Sequence, residues 1–150
     1  MQKTQTVEQR ARRLKKWLAF SLSELESRMA ADGGSWDEPA KIRGVVGTIR
    51  VVIRARTRIP QCWAMSILHN NARIDGIDWE RVVHDHRGKK FDCTGWHRHV
   101  WKPRGLDTHK ECLSEFSPTT IHDFVRIGCG LLNVELRRGD DNAGGRLQFD

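Results

Sequence analysis

The sequence predicts an α+β fold: a long N-terminal helix, an antiparallel sheet of four or five strands and a C-terminal helix. Three observations carry this. Apolar residues recur in steps of three and four from Val7 to Met29. Apolar and basic residues alternate from Ile49 to Arg56. Helical spacing resumes after Ser117-Pro118. A run of strands between helices, without strand–helix–strand alternation, favours α+β over a doubly wound sheet.

Val7, Ala11, Leu14, Leu18, Leu22, Leu25 and Met29 make one stripe, so a single helix is expected over about 7–29. Thr6 followed by Gln9 fits a capping box, and Gly33-Gly34 supplies a stop. Ser35 to Pro39 reads as a loop. The sheet is expected over about 42–101. Its first clear strand holds Ile49, Val51, Ile53 and Ala55 on one face and Arg50, Arg54 and Arg56 on the other. Pro60 breaks it. Cys62 to His69 reads as the next strand, Asn70-Asn71-Ala72 as a tight turn, and Arg73 to Trp79 as the returning strand. A loop spans His84 to Lys90, and Trp96 to Trp101 is another strand, stopped by Pro103.

Ser117 and Pro118 form a cap and first-turn pair for a helix over about 118–129. Leu131 to Leu136 is either a short edge strand or an extended tail. The Gly/Asp-rich stretch Gly139 to Asp150 predicts a disordered end. The expected organisation is one domain over residues 1–138.

With 150 residues the chain is long enough for one core. No apolar run approaches the roughly 20 residues that span a bilayer, and no signal-peptide pattern opens the chain, so a cytoplasmic protein with no membrane partner is expected. The four cysteines form no Cys-x-x-Cys pair and are expected as reduced thiols. Net charge is +7 and uneven: from Lys41 to Arg58 there are six basic residues and no acid. Such a field attracts phosphate backbones or an acidic protein surface. Candidate contacts are Arg50, Arg54 and Arg56 on the strand and Arg10, Arg13 and Lys16 on the helix. Trp36 and Trp96, in a loop and beside Gly95, are candidates for stacking on a base or anchoring a partner.

The block from Arg73 to Trp101 is the most chemistry-bearing part. Five of the seven histidines fall between His69 and His99, including His84-Asp85-His86 and His97-Arg98-His99. Strand residues two apart share a face, so His97 and His99 point the same way and Arg98 the other. Three readings compete. A divalent metal would take His84, His86, His97 and His99, with Asp75 completing the set. Metal-free acid–base chemistry on RNA would use His97, His99 and His84 or His86, with Arg98 steadying the phosphorane charge. Alternatively, the histidines bond across neighbouring strands, with Asp75 or Asp78 fixing their tautomers, and no chemistry follows.

This block resembles a family of short bacterial and phage-encoded proteins associated with toxin–antitoxin and mobile-element loci. The resemblance runs through Arg73-Ile74-Asp75, His84 or His86 before Gly88, and Gly95-Trp96-His97-Arg98-His99-Val100-Trp101. A shorter echo is Ile121-His122-Asp123-Phe124 leading to Cys129. It covers about the last two-thirds of the chain, and the basic N-terminal helix and the tail depart from it. The resemblance implies a small accessory protein of a genetic-conflict system. The leading expectation is an RNA-directed protein, an endoribonuclease toxin with a cognate antitoxin. The alternative is a non-enzymatic, phage-encoded inhibitor docking on a CRISPR-type effector.

Overall fold

The structure is a computed structural model. It describes residues 6–31, 33–81, 83–84, 90–91, 95–102 and 106–137, with the backbone alone for 83–84, 90–91, 101–102 and 106–109. The expected disordered stretch Gly139 to Asp150 lies outside the described residues.

The fold is α+β, but the expected 7–29 helix is three elements: α1 (Val7–Arg13), β1 (Lys16–Ser21) and α2 (Leu22–Ala31). Thr6 caps α1 with the expected box. The middle segment carries Trp17 and Phe20, which suit a pleated surface, and it finds strand partners on both sides. The Lys16 amide donates to Asn133 O at 2.8 Å, and Ser21 Oγ accepts the Glu24 amide at 3.2 Å to start α2. Partners distant in sequence thus override the helical stripe.

The sheet has eight strands rather than four or five. Those still to be placed are β2 (Ser35–Ile42), β3 (Ile49–Arg54), β4 (Ala64–His69), β5 (Ala72–Glu80), β8 (Gly95–Lys102), β9 (Leu106–Cys112) and β10 (Val134–Arg137). Their order is β10-β1-β2-β3-β4-β5-β8-β9, and β6 (Val83–His84) with β7 (Lys90–Phe91) forms a separate pair. The segment read as a loop at Ser35 to Pro39 is β2, recruited by its antiparallel ladder to β3. The β4–β5 hairpin turns at Asn70 and Asn71, whose φ angles of 48° and 68° suit a tight hairpin turn. At the C-terminus β10 pairs in parallel with β1.

Helix α3 (Ile121–Leu131) is capped by Thr120, not Ser117. With α2 it covers one face of the sheet. Gly128 lets α3 approach closely, because a Cβ there would lie 3.0 Å from Met65 Cε. Trp63 and Trp96 both pack on Phe124, at ring distances of 5.5 Å. Met65, Ile67, Ile74 and Ile77 fill the sheet side of this core. The opposite face carries no described helix and holds Arg50, Arg54, Ser66, Gly76 and Asp78 in register. No helix among the described residues is long and apolar enough to cross a membrane.

Candidate metal centre

The face opposite α2 and α3 is where the histidines meet carboxylates. In the β5–β8 ladder Asp78 stands opposite His97 and Gly76 opposite His99. Period-two geometry adds Glu80 and His99 to the same face. One ligand atom from each of Asp78, Glu80, His97 and His99 lies within 4.8 Å of the others.

The inner contacts are tighter. His97 Nε2 is 2.6 Å from His99 Nε2, and Asp78 Oδ1 is 2.7 Å from the first and 2.8 Å from the second. Glu80 Oε1 stands further out, 3.3 Å from His97 and 3.7 Å from His99. His97 is fully buried and His99 nearly so, whereas the side chains of Asp78 and Glu80 are 41% and 32% exposed. The imidazoles form a base and the carboxylates a lip.

Protons alone do not satisfy this triangle. Each Nε2 holds either one hydrogen or one lone pair, and an ionised carboxylate only accepts. If both imidazoles donate to Asp78, their own contact sets hydrogen against hydrogen. If one Nε2–H is shared, a contact between two lone pairs is left. At most two of the three contacts are satisfied, while a divalent cation among the three atoms satisfies all of them. The donor set, two imidazoles with carboxylates, suits zinc, manganese or ferrous iron.

The surroundings orient the ligands as metal sites require. His97 Nδ1 donates to Gly95 O at 3.1 Å, which orients the ring so that its Nε2 faces the cluster. Gly95 has φ +107°, and a Cβ there would meet Trp79 Nε1 at 3.3 Å. The glycine before the His-x-His strand is therefore part of the site. Lys110 Nζ lies 3.4 Å from Glu80 Oε2 and tethers the oxygen that faces away from the imidazoles. Burial opposes ionisation of Asp78, but hydrogen bonds from both histidines and their charge outweigh it and hold the carboxyl well below the usual range.

Asp75, expected to complete a metal set, belongs to the other face. It is fully buried, accepts from Arg98 Nε at 2.8 Å and Arg98 Nη2 at 2.6 Å, and has Arg12 Nε at 3.5 Å. Hydrogen bonds to Asp75 push the Arg98 pKa further up. Arg98, expected beside the reacting phosphate, is instead turned into this clamp behind the strand. His86 lies outside the described residues, and so does the side chain of His84.

Three candidate contacts for nucleic acid are withdrawn by their burial. Lys16 is fully buried, with Nζ donating to Arg12 O, Leu14 O and Leu132 O. Burial lowers its pKa to about 8, so it remains an ammonium at neutral pH. Trp96, expected to stack on a base, is 8% exposed and packed on Phe116 and Phe124, and Trp36 is likewise in the core. Arg50 is paired with Asp37 at 2.8 Å, and Arg10 donates to Gly44 O at 2.6 Å. Arg13, Arg54 and Arg56 are exposed. Cys112, opposite His97 on β9, is disulfide-bonded, which corrects the expectation of reduced thiols; Cys62 and Cys129 are free.

Glu80 was missed from sequence, although Asp78-x-Glu80 has the same i, i+2 spacing as His97-x-His99. Comparison with protein-family models, curated proteins and solved structures gave no match, so the functional reading stands on this geometry.

Proposed function

We propose that the protein is a divalent-metal-dependent ribonuclease of a genetic-conflict system, with the metal held by His97, His99 and Asp78. The observation that carries the reading is the three-way approach of two imidazole nitrogens and one carboxylate oxygen, which protons alone do not satisfy. A metal bound there would supply Lewis-acid polarisation of a phosphoryl oxygen and a more acidic water. Glu80, outside the triangle and tethered by Lys110, would act as the base. In the proposed step a water oxygen bonds to phosphorus and the P–O bond to the leaving ribose oxygen breaks. Glu80 takes one water proton, the leaving oxygen takes a proton from solvent, and Glu80 then returns its own to solvent. The charge of +7 and the basic strand support an RNA substrate. The toxin–antitoxin or phage-defence setting follows from the resemblance of the Gly95 to Trp101 segment.

The test is a cleavage assay on labelled RNA with protein stripped by chelator and reloaded with Mn²⁺ or Zn²⁺. Cleavage is expected only with metal and is abolished in His97→Ala/His99→Ala. Glu80→Gln should lower kcat by about 100-fold or more while retaining the metal. A metal-loaded wild type that leaves RNA intact removes the enzymatic reading.

A further inference from the structure

We infer that the sheet face opposite α2 and α3, beside the metal centre, carries a phosphate subsite for a single polynucleotide strand, formed by Arg54, Arg73 and Ser66. The inference rests on the proposed metal-dependent reaction on RNA, because its cavity opens onto Asp78 and His99.

The cavity, about 250 Å³, is lined by Arg54, Ser66, Arg73, Gly76, Asp78 and His99 among others. Gly76 sits in register between Ser66 on β4 and His99 on β8. On a sheet face each ladder position normally presents a side chain, so a glycine beside a serine keeps the lining small next to the His99 imidazole. Ala64 and Ser66 continue the floor toward β3, where Arg54 stands opposite Ala64. Arg73 closes the side toward the hairpin turn.

The charges around this hollow point to an anion. Arg54 and Arg73 are both exposed, and among the described residues neither guanidinium meets a carboxylate. Arg50, on the same face and strand as Arg54, is neutralised by Asp37. Guanidinium groups bind phosphate through paired hydrogen bonds, and the Ser66 hydroxyl adds a donor from the floor. Arg54 lies two strands from Asp78, about 10 Å across the sheet. A phosphate held by Arg54 close to its own strand is distinct from one at the metal, so the subsite suits a chain with more than one phosphate.

The size of the hollow selects a single strand. At about 250 Å³ it admits the phosphate and sugar of one nucleotide, with the His99 imidazole in its lining. A single strand can splay a nucleotide into such a site, whereas a base-paired helix holds its backbone on a rigid surface. Among the described residues no aromatic ring other than the His99 imidazole lines the cavity, so recognition through phosphate, tolerant of base identity, is expected.

The test is fluorescence anisotropy of a labelled single-stranded RNA of about ten nucleotides, in chelator, at several salt concentrations. It compares wild type with Arg54→Ala/Arg73→Ala, using Arg50→Ala as the control. The double variant should bind at least 10-fold more weakly and flatten the log K against log salt slope by about 0.7, the loss of one phosphate contact. Arg50→Ala should retain most of the affinity. The same RNA as a duplex, and a nucleoside monophosphate as competitor, should both bind much more weakly than the strand. Equal binding by the double variant overturns the subsite, equal binding of duplex overturns the single-strand choice, and equal competition by the monophosphate overturns the strand. Calorimetric titration of Mn²⁺ or Zn²⁺ separates this from the metal reading: the arginine variants should bind the ion like wild type. Failure of the wild type to bind metal defeats the proposed reaction, whereas loss of the arginine effect with metal binding intact defeats only the subsite.

Discussion

Asp78 Oδ1 and His97 Nε2 lie 2.7 Å apart across directly opposed positions of the β5–β8 ladder. Everything else at the site follows from that pairing, because it sets which residues two steps along each strand share the face. Asp78→Asn keeps the size and removes the charge. It should weaken Zn²⁺ or Mn²⁺ binding by about 100-fold or more, since direct ligands matter at least as much as their supports. The melting temperature without metal should change by only a few degrees, because the Asp78 side chain is 41% exposed. Calorimetry and thermal denaturation check the two halves.

Gly95 orients His97 through its carbonyl and tolerates no side chain at φ +107°. Gly95→Ala should therefore destabilise the fold by about 1–3 kcal/mol and lower metal affinity about 10- to 100-fold. Gly130→Ala is the contrast, since its Cβ meets nothing within 4 Å and it lies in α3. That substitution should be neutral or stabilise by up to about 1 kcal/mol. Urea denaturation of both variants is the check.

Behind the site, the Asp75–Arg98 clamp holds β5 to β8. Arg98→Met leaves a fully buried carboxylate with the Gly76 amide, the more distant Arg12 and the charge of Lys16, and should cost about 3–5 kcal/mol. Asp75→Asn/Arg98→Met removes both charges and should be milder. A double variant as damaged as Arg98→Met alone would show that the charges are not coupled.

Cys129 gives a pH dependence of defined sign. Burial pushes its thiol up to about 12 from an ordinary 9, so the folded state keeps the proton after the unfolded chain has lost it. The contribution is fully present below pH 9 and is lost as pH rises from 9 toward 12. In that window wild type should lose about 1.4 kcal/mol per pH unit relative to Cys129→Ala. Parallel stability curves for the two proteins from pH 8 to 11 would contradict this.

How much of this was legible varies by element, for physical reasons. The β4–β5 hairpin was readable because its turn is local: Asn70-Asn71 accepts positive φ, and the strands need no distant partner. Helix α3 was readable from its apolar spacing. Strand β1 was not, because Leu14, Leu18, Leu22 and Leu25 fit a helical stripe, and only β2 and β10, remote in sequence, make it a strand. Strand β9 has no clear alternation and exists through its ladder to β8. At the site, the shared face of His97 and His99 was legible from parity. The choice of Asp78 over Asp75 was not, because it depends on the register between β5 and β8. Glu80, at the end of β5, needed the same register.

The central claim is that His97, His99 and Asp78 hold one divalent cation. Calorimetric titration of Zn²⁺ and Mn²⁺ into chelator-treated protein tests it most directly, with His97→Ala/His99→Ala as the comparison. The account predicts one ion per chain for the wild type and none for the double variant, with the variant still folded by circular dichroism. No binding by the wild type, or equal binding by the folded variant, would contradict it.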